Sequence, residues 1–171
     1  NTLGEDTNKL IRFIDRLNEN FVIIYPNNDP GSKIILNCYA KIKNTKYKIL
    51  KNLRFEYFLA LLKNAKFIIG NSSSAIYEAP MLGTPAINIG DRQHKRINSK
   101  IIKNLGIDEM DILKIYKFLK SYKRIEKKFY GYGNSDKKFL NILLKPNFWN
   151  ISKQKFFSDL KKINNHLIFY L

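Results

Sequence analysis

The chain has 171 residues, enough for one domain with its own core, and its hydrophobic content of 44% is ordinary for a globular protein. Its net charge of +17 invites a polyanion partner, but the lysines are spread over nearly every predicted helix and no recognised nucleic-acid module accompanies them. A single cysteine, Cys38, excludes an internal disulfide and a multi-cysteine metal site.

Predicted helices and strands alternate from the start of the chain to about residue 90. The helices are predicted over Thr7–Asn20, Ser32–Ile42 and Arg54–Asn64, and a short one carries Glu78 and stops at Pro80. The strands are predicted over Phe21–Tyr25, Tyr47–Leu50, Phe67–Ile69 and Ala86–Ile89, and the first is an apolar run suited to a sheet that is covered on both faces. This order predicts an α/β fold with a Rossmann-like parallel sheet and right-handed crossovers.

The last third of the chain is basic and is predicted to be helical. We expect helices over Asp108–Lys128, Ser135–Leu144 and Lys153–Asn164, separated by breaks at Tyr130–Asn134 and Lys145–Asn147. The last of these helices is amphipathic, and its aromatic face favours packing. The chain is therefore predicted to divide into a Rossmann-like core, residues 1–107, and extra C-terminal helices, residues 108–171.

Polar residues follow the third and fourth predicted strands. Gly70–Ser74 leaves one strand and Arg92 follows the other, and ligands of open parallel sheets bind beyond these strand ends. Serine hydroxyls at a helix start can hold an anion, and Arg92 can supply charge for a diphosphate. Glu78, one to two turns up the same predicted helix, suits a diol such as ribose. Together these residues indicate a nucleoside-diphosphate pocket, although Ser72 alone could be a helix cap and Glu78 alone a solvated helix residue.

The segment GNSSSAIYEAPMLGTPAINIGDRQ closely resembles the C-terminal half of UDP-N-acetylglucosamine 2-epimerases, particularly the hydrolysing type that makes N-acetylmannosamine for sialic acid synthesis. The resemblance continues upstream through YPNNDPGSKII and RFEYFLALLKNAKF and, more weakly, downstream to YGYGNSDKKFLNIL, so it covers roughly residues 2–144. It implies the C-terminal domain of a GT-B-type enzyme, in which two Rossmann-like domains enclose the active site. It also implies a reaction in which UDP is eliminated and water is then added to the sugar.

The resemblance implies a role for each matching residue. Ser72 and Ser73 match serines that bind the UDP phosphates, Glu78 matches the carboxylate on the ribose, and Arg92 matches an arginine that faces the nucleotide. Asn27 matches an asparagine near the substrate, and Leu53 to Phe58 match the segment that cradles uracil. The ligand implied is UDP or UDP-N-acetylglucosamine.

The family's catalytic acid and base lie in an N-terminal domain, so we name no catalytic residue and expect this chain alone to be inactive. That domain is the expected partner, and a homodimer is possible. His94 lies between cations, and His166 follows a basic helix, so neither is assigned to catalysis. Cys38 is expected to pack as a small apolar side chain.

Two other interpretations stay open. The chain could belong to a GT-B glycosyltransferase that uses UDP-sugars, or it could be a non-catalytic UDP-binding or basic interaction module. No run approaches 18 apolar residues and none has the form of a signal peptide, so we expect a cytoplasmic fragment or processed chain without a membrane partner. We expect no cofactor, no metal and no specific nucleic acid.

Overall fold

Parallel strands alternate with helices from the beginning of the chain. The computed structural model describes residues 2–93, 96–97, 99–124, 126, 131–150 and 154. The chain divides into two compact units, Asn1–Phe129 and Tyr130–Leu171. The strands are β1 (Phe21–Ile24), β2 (Tyr47–Leu50), β3 (Ile68–Gly70), β4 (Ala86–Ile89) and β5 (Ile102–Leu105).

The strands pair in two parallel ladders among the described residues. β1 pairs with β2, so that Ile24 lies opposite Leu50, and β4 lies between β3 and β5. The ring of Phe21 in β1 meets the ring of Phe67, next to β3, edge-on at 6.0 Å, which brings the two ladders together. The prediction of an α/β fold with parallel strands is confirmed.

Helices lie before, between and after the strands of the first unit. They are α1 (Thr2–Arg16), α2 (Ser32–Tyr39), α3 (Phe55–Asn64), α4 (Glu78–Met81) and α5 (Ile112–Ser121). The second unit contains α6 (Ser135–Leu143) and α7 (Pro146–Trp149), where the Trp149 indole donates to the carbonyl of Leu143 at 2.7 Å. No helix in the described ranges is long and apolar enough to cross a bilayer.

β4 is buried on both faces and forms the middle of the core. Its Ile87 and Ile89 pack in one cluster with α1 and α5, whose Ile115 is fully buried. Ala86 faces the second cluster, which contains Ile76 and residues of α3. This continuous burial is expected for a parallel strand covered by helices on both sides.

α1 and β2 are also joined by polar side chains. The Tyr47 hydroxyl donates to Oδ1 of Asp15 at 2.6 Å, and the Asn44 amide donates to the same oxygen at 2.9 Å. Burial, followed by the hydrogen bond to Asp15, raises the pKa of the Tyr47 phenol well above its usual value. The start of β2 is therefore anchored to α1 as well as to β1.

The region after β4 departs most from the sequence prediction. β5 was not predicted, and the single helix expected over Asp108–Lys128 is wrong. A 3₁₀ turn at Ile107–Glu109 comes first, and α5 begins only at Ile112, where the carboxylate of Asp111 accepts from the amide of Lys114 at 2.8 Å. Capping by Asp111 fixes this later start.

Smaller differences concern element ends. α1 runs from Thr2 to Arg16, earlier than the predicted Thr7–Asn20, and Asn18 with φ 53° turns the chain out of the helix. The expected break at Lys145–Asn147 lies earlier: α6 ends at Leu143 and α7 already begins at Pro146, which occupies a first-turn position that requires no amide donor. Apart from Gln154, the predicted helix Lys153–Asn164 lies outside the described residues, and so do His94, Lys128 and His166. The predicted division at residue 107 stays a prediction.

Candidate functional site

The loops after β1, β2, β3 and β4 leave their ladders at the carboxyl ends of parallel strands. Gly70 at the end of β3 lies opposite Asn88 of β4, and Ile24 at the end of β1 lies opposite Leu50 of β2. Each predicted site residue lies on a segment that follows one of these strand ends. These residues therefore lie at the edge where open parallel sheets bind ligands, and their role in binding stays a prediction.

The serine turn, residues 71–74, follows β3. Ser72 is the cap of a 3₁₀ turn, Ser73–Ala75, and its Oγ accepts from the amide of Ser74 at 3.3 Å. Ser72 and Ser73 are both exposed. The capping interpretation of Ser72 is correct, but a hydroxyl that accepts one bond keeps its own proton to donate, so capping does not exclude contact with an anion.

The single short helix expected after the serines is divided in two. The 3₁₀ turn ends at Ala75, and α4 is a separate four-residue helix whose first residue is Glu78. Glu78 is thus not one to two turns up the same helix, and α4 ends at Met81, not at Pro80. Because so short a helix has little dipole, a helix start does not supply the positive charge for a phosphate here.

Glu78 is not a solvated helix residue. Its side chain is half-buried, and its Oε2 is buried without a hydrogen-bond partner among the described residues. A carboxylate oxygen withdrawn from water gains more from a donor than one that is already hydrated. Glu78 is therefore a candidate acceptor for ligand hydroxyls.

Arg92 links the loop after β4 to the loop after β1. Its Nη2 lies 3.4 Å from Oδ2 of Asp29, and both side chains are more than half exposed, at 59% and 57%. The side chain of Asp29 does not cap α2: that helix begins after Gly31, whose φ of 90° favours glycine, and a Cβ added there would meet the end of the Leu3 side chain at 2.5 Å. Asp29 is instead the counterion of Arg92.

Two buried amides, one in the loop after β4 and one within β4, were missed in the sequence. Gln93, only 3% exposed, donates from Nε2 to the carbonyl of Asn71 at 3.3 Å. Asn88, fully buried, donates from Nδ2 to Oδ1 of Asn104 at 2.8 Å and to the carbonyl of Gly90 at 3.3 Å. The available signal was an amide inside an apolar strand, Ala86–Ile89, where a polar residue needs a partner.

The other predicted residues lie at the same edge. Asn27 is exposed in the loop after β1, and Leu53 is half-buried after β2. Phe58 in α3 packs against the second core cluster, so part of its side chain is structural. No hydrogen bond or ion pair among the described residues joins Ser72, Glu78 and Arg92 to one another. They share an edge, and a ligand would have to bridge them.

The site is an open edge. Two hollows lie elsewhere: one of about 530 Å³ beside Leu113 and Lys117 of α5, and one of about 350 Å³ beside Arg12 of α1 and Lys41. Neither is lined by a residue assigned to the nucleotide. In the described ranges, no group of three or more His, Cys, Asp and Glu side chains could hold a metal ion.

Comparison with known proteins identifies relatives over most of the chain. The sequence model of the UDP-N-acetylglucosamine 2-epimerase family matches residues 1–144. A UDP-N-acetylglucosamine 2-epimerase of Neisseria meningitidis serogroup B is 38% identical over 146 residues, which are 83% of this chain and 39% of that protein. A GDP/UDP-N,N'-diacetylbacillosamine 2-epimerase (hydrolyzing) of Campylobacter jejuni is 38% identical over 106 residues, 60% of this chain and 28% of that protein.

A solved structure has the same fold. The UDP-GlcNAc 2-epimerase of Methanocaldococcus jannaschii, in complex with UDP-GlcNAc and UDP, aligns with a TM-score of 0.63 at 24% identity. The alignment covers 84% of this chain and 41% of that one. The chain thus spans less than half the length of these relatives.

Proposed function

Since the chain belongs to the UDP-N-acetylglucosamine 2-epimerase family, we propose that it forms the C-terminal, nucleotide-binding domain of a GT-B-type epimerase of the hydrolysing type. The whole enzyme would convert UDP-N-acetylglucosamine, or a close amino-sugar relative, and water into UDP and N-acetylmannosamine. The word "hydrolyzing" in the name of the Campylobacter jejuni relative supports this subtype. The place in sialic-acid-type amino-sugar synthesis rests on the sequence resemblance, and the proposed cytoplasmic location is the expectation drawn from the sequence above.

The environment of Glu78 is the observation that best supports a nucleotide site at this edge. One oxygen of its carboxylate is buried and lacks a partner among the described residues, beside a turn with two exposed serines. A carboxylate accepts from two adjacent hydroxyls at once, which is the arrangement of a ribose. Glu78 would accept from the ribose, and this contact would offset its repulsion of the nearby diphosphate.

The phosphates would be held by neutral and positive donors. Ser72 and Ser73 would donate their hydroxyl protons to phosphate oxygens, and Arg92 would donate through its guanidinium. Asn27 would lie near the sugar, and the segment from Leu53 to Phe58 would contact uracil. With no long helix start at this position, hydroxyls and the guanidinium carry the anion recognition.

Catalysis would need groups from a second domain. Removal of the proton at C2 requires a tuned base, and departure of the diphosphate requires an acid or a cation. The groups assigned at the edge described above are hydroxyls, a carboxylate on the ribose and an arginine whose counterion is Asp29, and none of them is assigned to acid–base chemistry. We therefore propose that an N-terminal catalytic domain closes over this edge and that this chain itself supplies binding.

The proposal is tested by a cycle of protein change against ligand change. Calorimetry would compare UDP and 2′-deoxy-UDP on the wild-type chain and on Glu78→Gln, which keeps the shape but weakens the acceptor. We expect the wild-type chain to prefer UDP and the variant to lose that preference, with a coupling of about 1 kcal/mol or more, as for hydrogen bonds to a charged group.

Pyrophosphate and a phosphate-matched oligonucleotide provide the controls. Pyrophosphate lacks the diol and should bind Glu78→Gln at least as well as the wild type. A coupling of zero would show that Glu78 does not bind the ribose. Retention of the oligonucleotide without any binding of UDP would instead favour the basic interaction module.

A further inference from the structure

Adjacent residues of the loop after β4 contact two different loops. Arg92 reaches Asp29 after β1, and Gln93 reaches Asn71 at the start of the serine turn. The arginine contact lies on the surface, whereas Gln93 is almost completely buried. The two contacts therefore differ in kind, and the buried one constrains the chain more strongly.

The orientation of the Gln93 amide is determined by its partner. Nε2 lies 3.3 Å from the carbonyl oxygen of Asn71, and the reverse orientation would bring two oxygens together. This leaves Oε1 buried without a hydrogen-bond partner among the described residues. A buried acceptor without a donor is unfavourable, so an apolar side chain of the same length would suit simple packing better.

The hydrogen bond from Gln93 to Asn71 restrains the peptide unit at the start of the serine turn. The carbonyl of Asn71 and the amide of Ser72 belong to one planar group, so holding the oxygen also fixes the direction of the Ser72 N–H. Ser72 in turn caps the amide of Ser74. A restraint at Asn71 is thus transmitted to both serines through rigid covalent geometry and one short turn.

We propose that Gln93 is a positioning residue that holds the serine turn in the arrangement that binds the diphosphate, an inference that rests on the proposed function. Gln93 does not touch the ligand. It raises the population of the binding-competent turn, and without it the serines would sample other directions. If that population fell to about one tenth, the apparent Kd would rise about tenfold.

The test variant is Gln93→Met, which keeps the length of the side chain but cannot donate to Asn71. We expect the Kd for UDP and the Kd for pyrophosphate to rise together by about tenfold, since both ligands use the serine turn. Resistance to urea should equal or exceed that of the wild type, because the unpaired Oε1 is removed along with the bond. This combination separates positioning from support of the core.

Asn64→Leu is the matched control. Asn64 also donates from a side-chain amide to a backbone carbonyl, that of Ala60 at 2.8 Å, at the far end of α3. Removing this bond should leave both Kd values unchanged. Gln93→Leu provides a second apolar variant with a different shape.

Three outcomes would overturn the inference. A folded Gln93→Met or Gln93→Leu that binds UDP like the wild type would show that the bond does not position the turn. Loss of the folded state in both variants would make Gln93 a core residue. A rise in the Kd for UDP alone would place its effect on the nucleoside. Failure of the wild-type chain itself to bind either ligand would instead refute the proposed function, and this inference with it.

Discussion

Arg92 has an anion beside it before any nucleotide binds. Its partner Asp29 is exposed and lies 3.4 Å away, and exposed ion pairs contribute little to stability. A diphosphate at Arg92 must compete with this carboxylate. We expect Asp29→Asn to strengthen UDP binding by about 0.2–1 kcal/mol, the range for such a pair.

The variant Arg92→Ala should weaken UDP binding by about 1.5–3 kcal/mol, as for a charge-assisted hydrogen bond. Calorimetry measures both changes.

Asp108→Asn serves as the control for charge alone. Asp108 pairs with Lys9 at 2.7 Å on the exposed surface, far along the chain from the site residues. The Asp108→Asn variant changes the net charge by the same one unit as Asp29→Asn, and it should not alter the affinity for UDP. If Asp29→Asn weakened UDP binding as much as Arg92→Ala, Asp29 would be holding Arg92 in place, and competition between the two anions would be the wrong description.

The sequence revealed the polar residues that follow the strand ends. It did not reveal the buried side chains that hold those segments in place. Ser72, Glu78 and Arg92 were identifiable because polar residues after apolar runs are unusual enough to attract attention. Gln93 gave no such signal, and Asn88 gave only that of an amide inside an apolar strand, because burial of an amide depends on what surrounds it in three dimensions. The sequence therefore predicted the candidate ligand-binding residues but not the buried residues that hold their loops in place.

At the level of elements, the side-chain hydrogen bond between Asn88 of β4 and Asn104 of β5 can be tested by mutation. Asn88 is fully buried and donates to two acceptors, the carbonyl of Gly90 and Oδ1 of Asn104. Asn88→Asp would place a carboxylate against both. We expect a loss of about 3–5 kcal/mol in the free energy of unfolding at pH 7, as for an uncompensated buried charge. Urea denaturation of the variant and the wild type measures this.

The pH dependence of the same variant has a definite sign. Burial and two facing acceptors would raise the pKa of the new carboxyl in the folded state above its unfolded value of about 3.9. The stability deficit should therefore shrink as the pH falls towards that value and grow as it rises. Asn104→Asp is the matched control, because it keeps the acceptor that Asn88 needs and Asn104 is exposed. Equal losses in the two variants would contradict the buried donor role of Asn88.

The elements that the sequence missed have physical explanations. β5 pairs only with β4 among the described strands, and its two central residues, Lys103 and Asn104, face solvent, so neither an apolar run nor strict alternation marks it. The segment after the serines looked like one helix because its composition suits a helix. Tertiary packing of Ile76 and Ala79 against β4 divides it into a 3₁₀ turn and α4. Local pattern could not predict either outcome.

For the whole molecule, we expect the isolated chain to bind UDP weakly and to release none from UDP-N-acetylglucosamine. The open edge forms one wall of the proposed cleft, and ligands in clefts normally draw affinity from both walls. A coupled assay for UDP should stay at the background rate with the purified chain. Sustained turnover by this chain alone would refute the assignment of acid–base chemistry to another domain.

The loop between β4 and β5 also limits how the chain can change in length. Arg92 meets the loop after β1 and Gln93 meets the turn after β3, so the number of residues between Ile89 and these two side chains must suit both partners at once. One inserted residue at Gly90 would displace both contacts together. Surface loops ordinarily tolerate insertions and deletions, but this one has little freedom to do so. Homologous chains of different length should therefore vary in other connections.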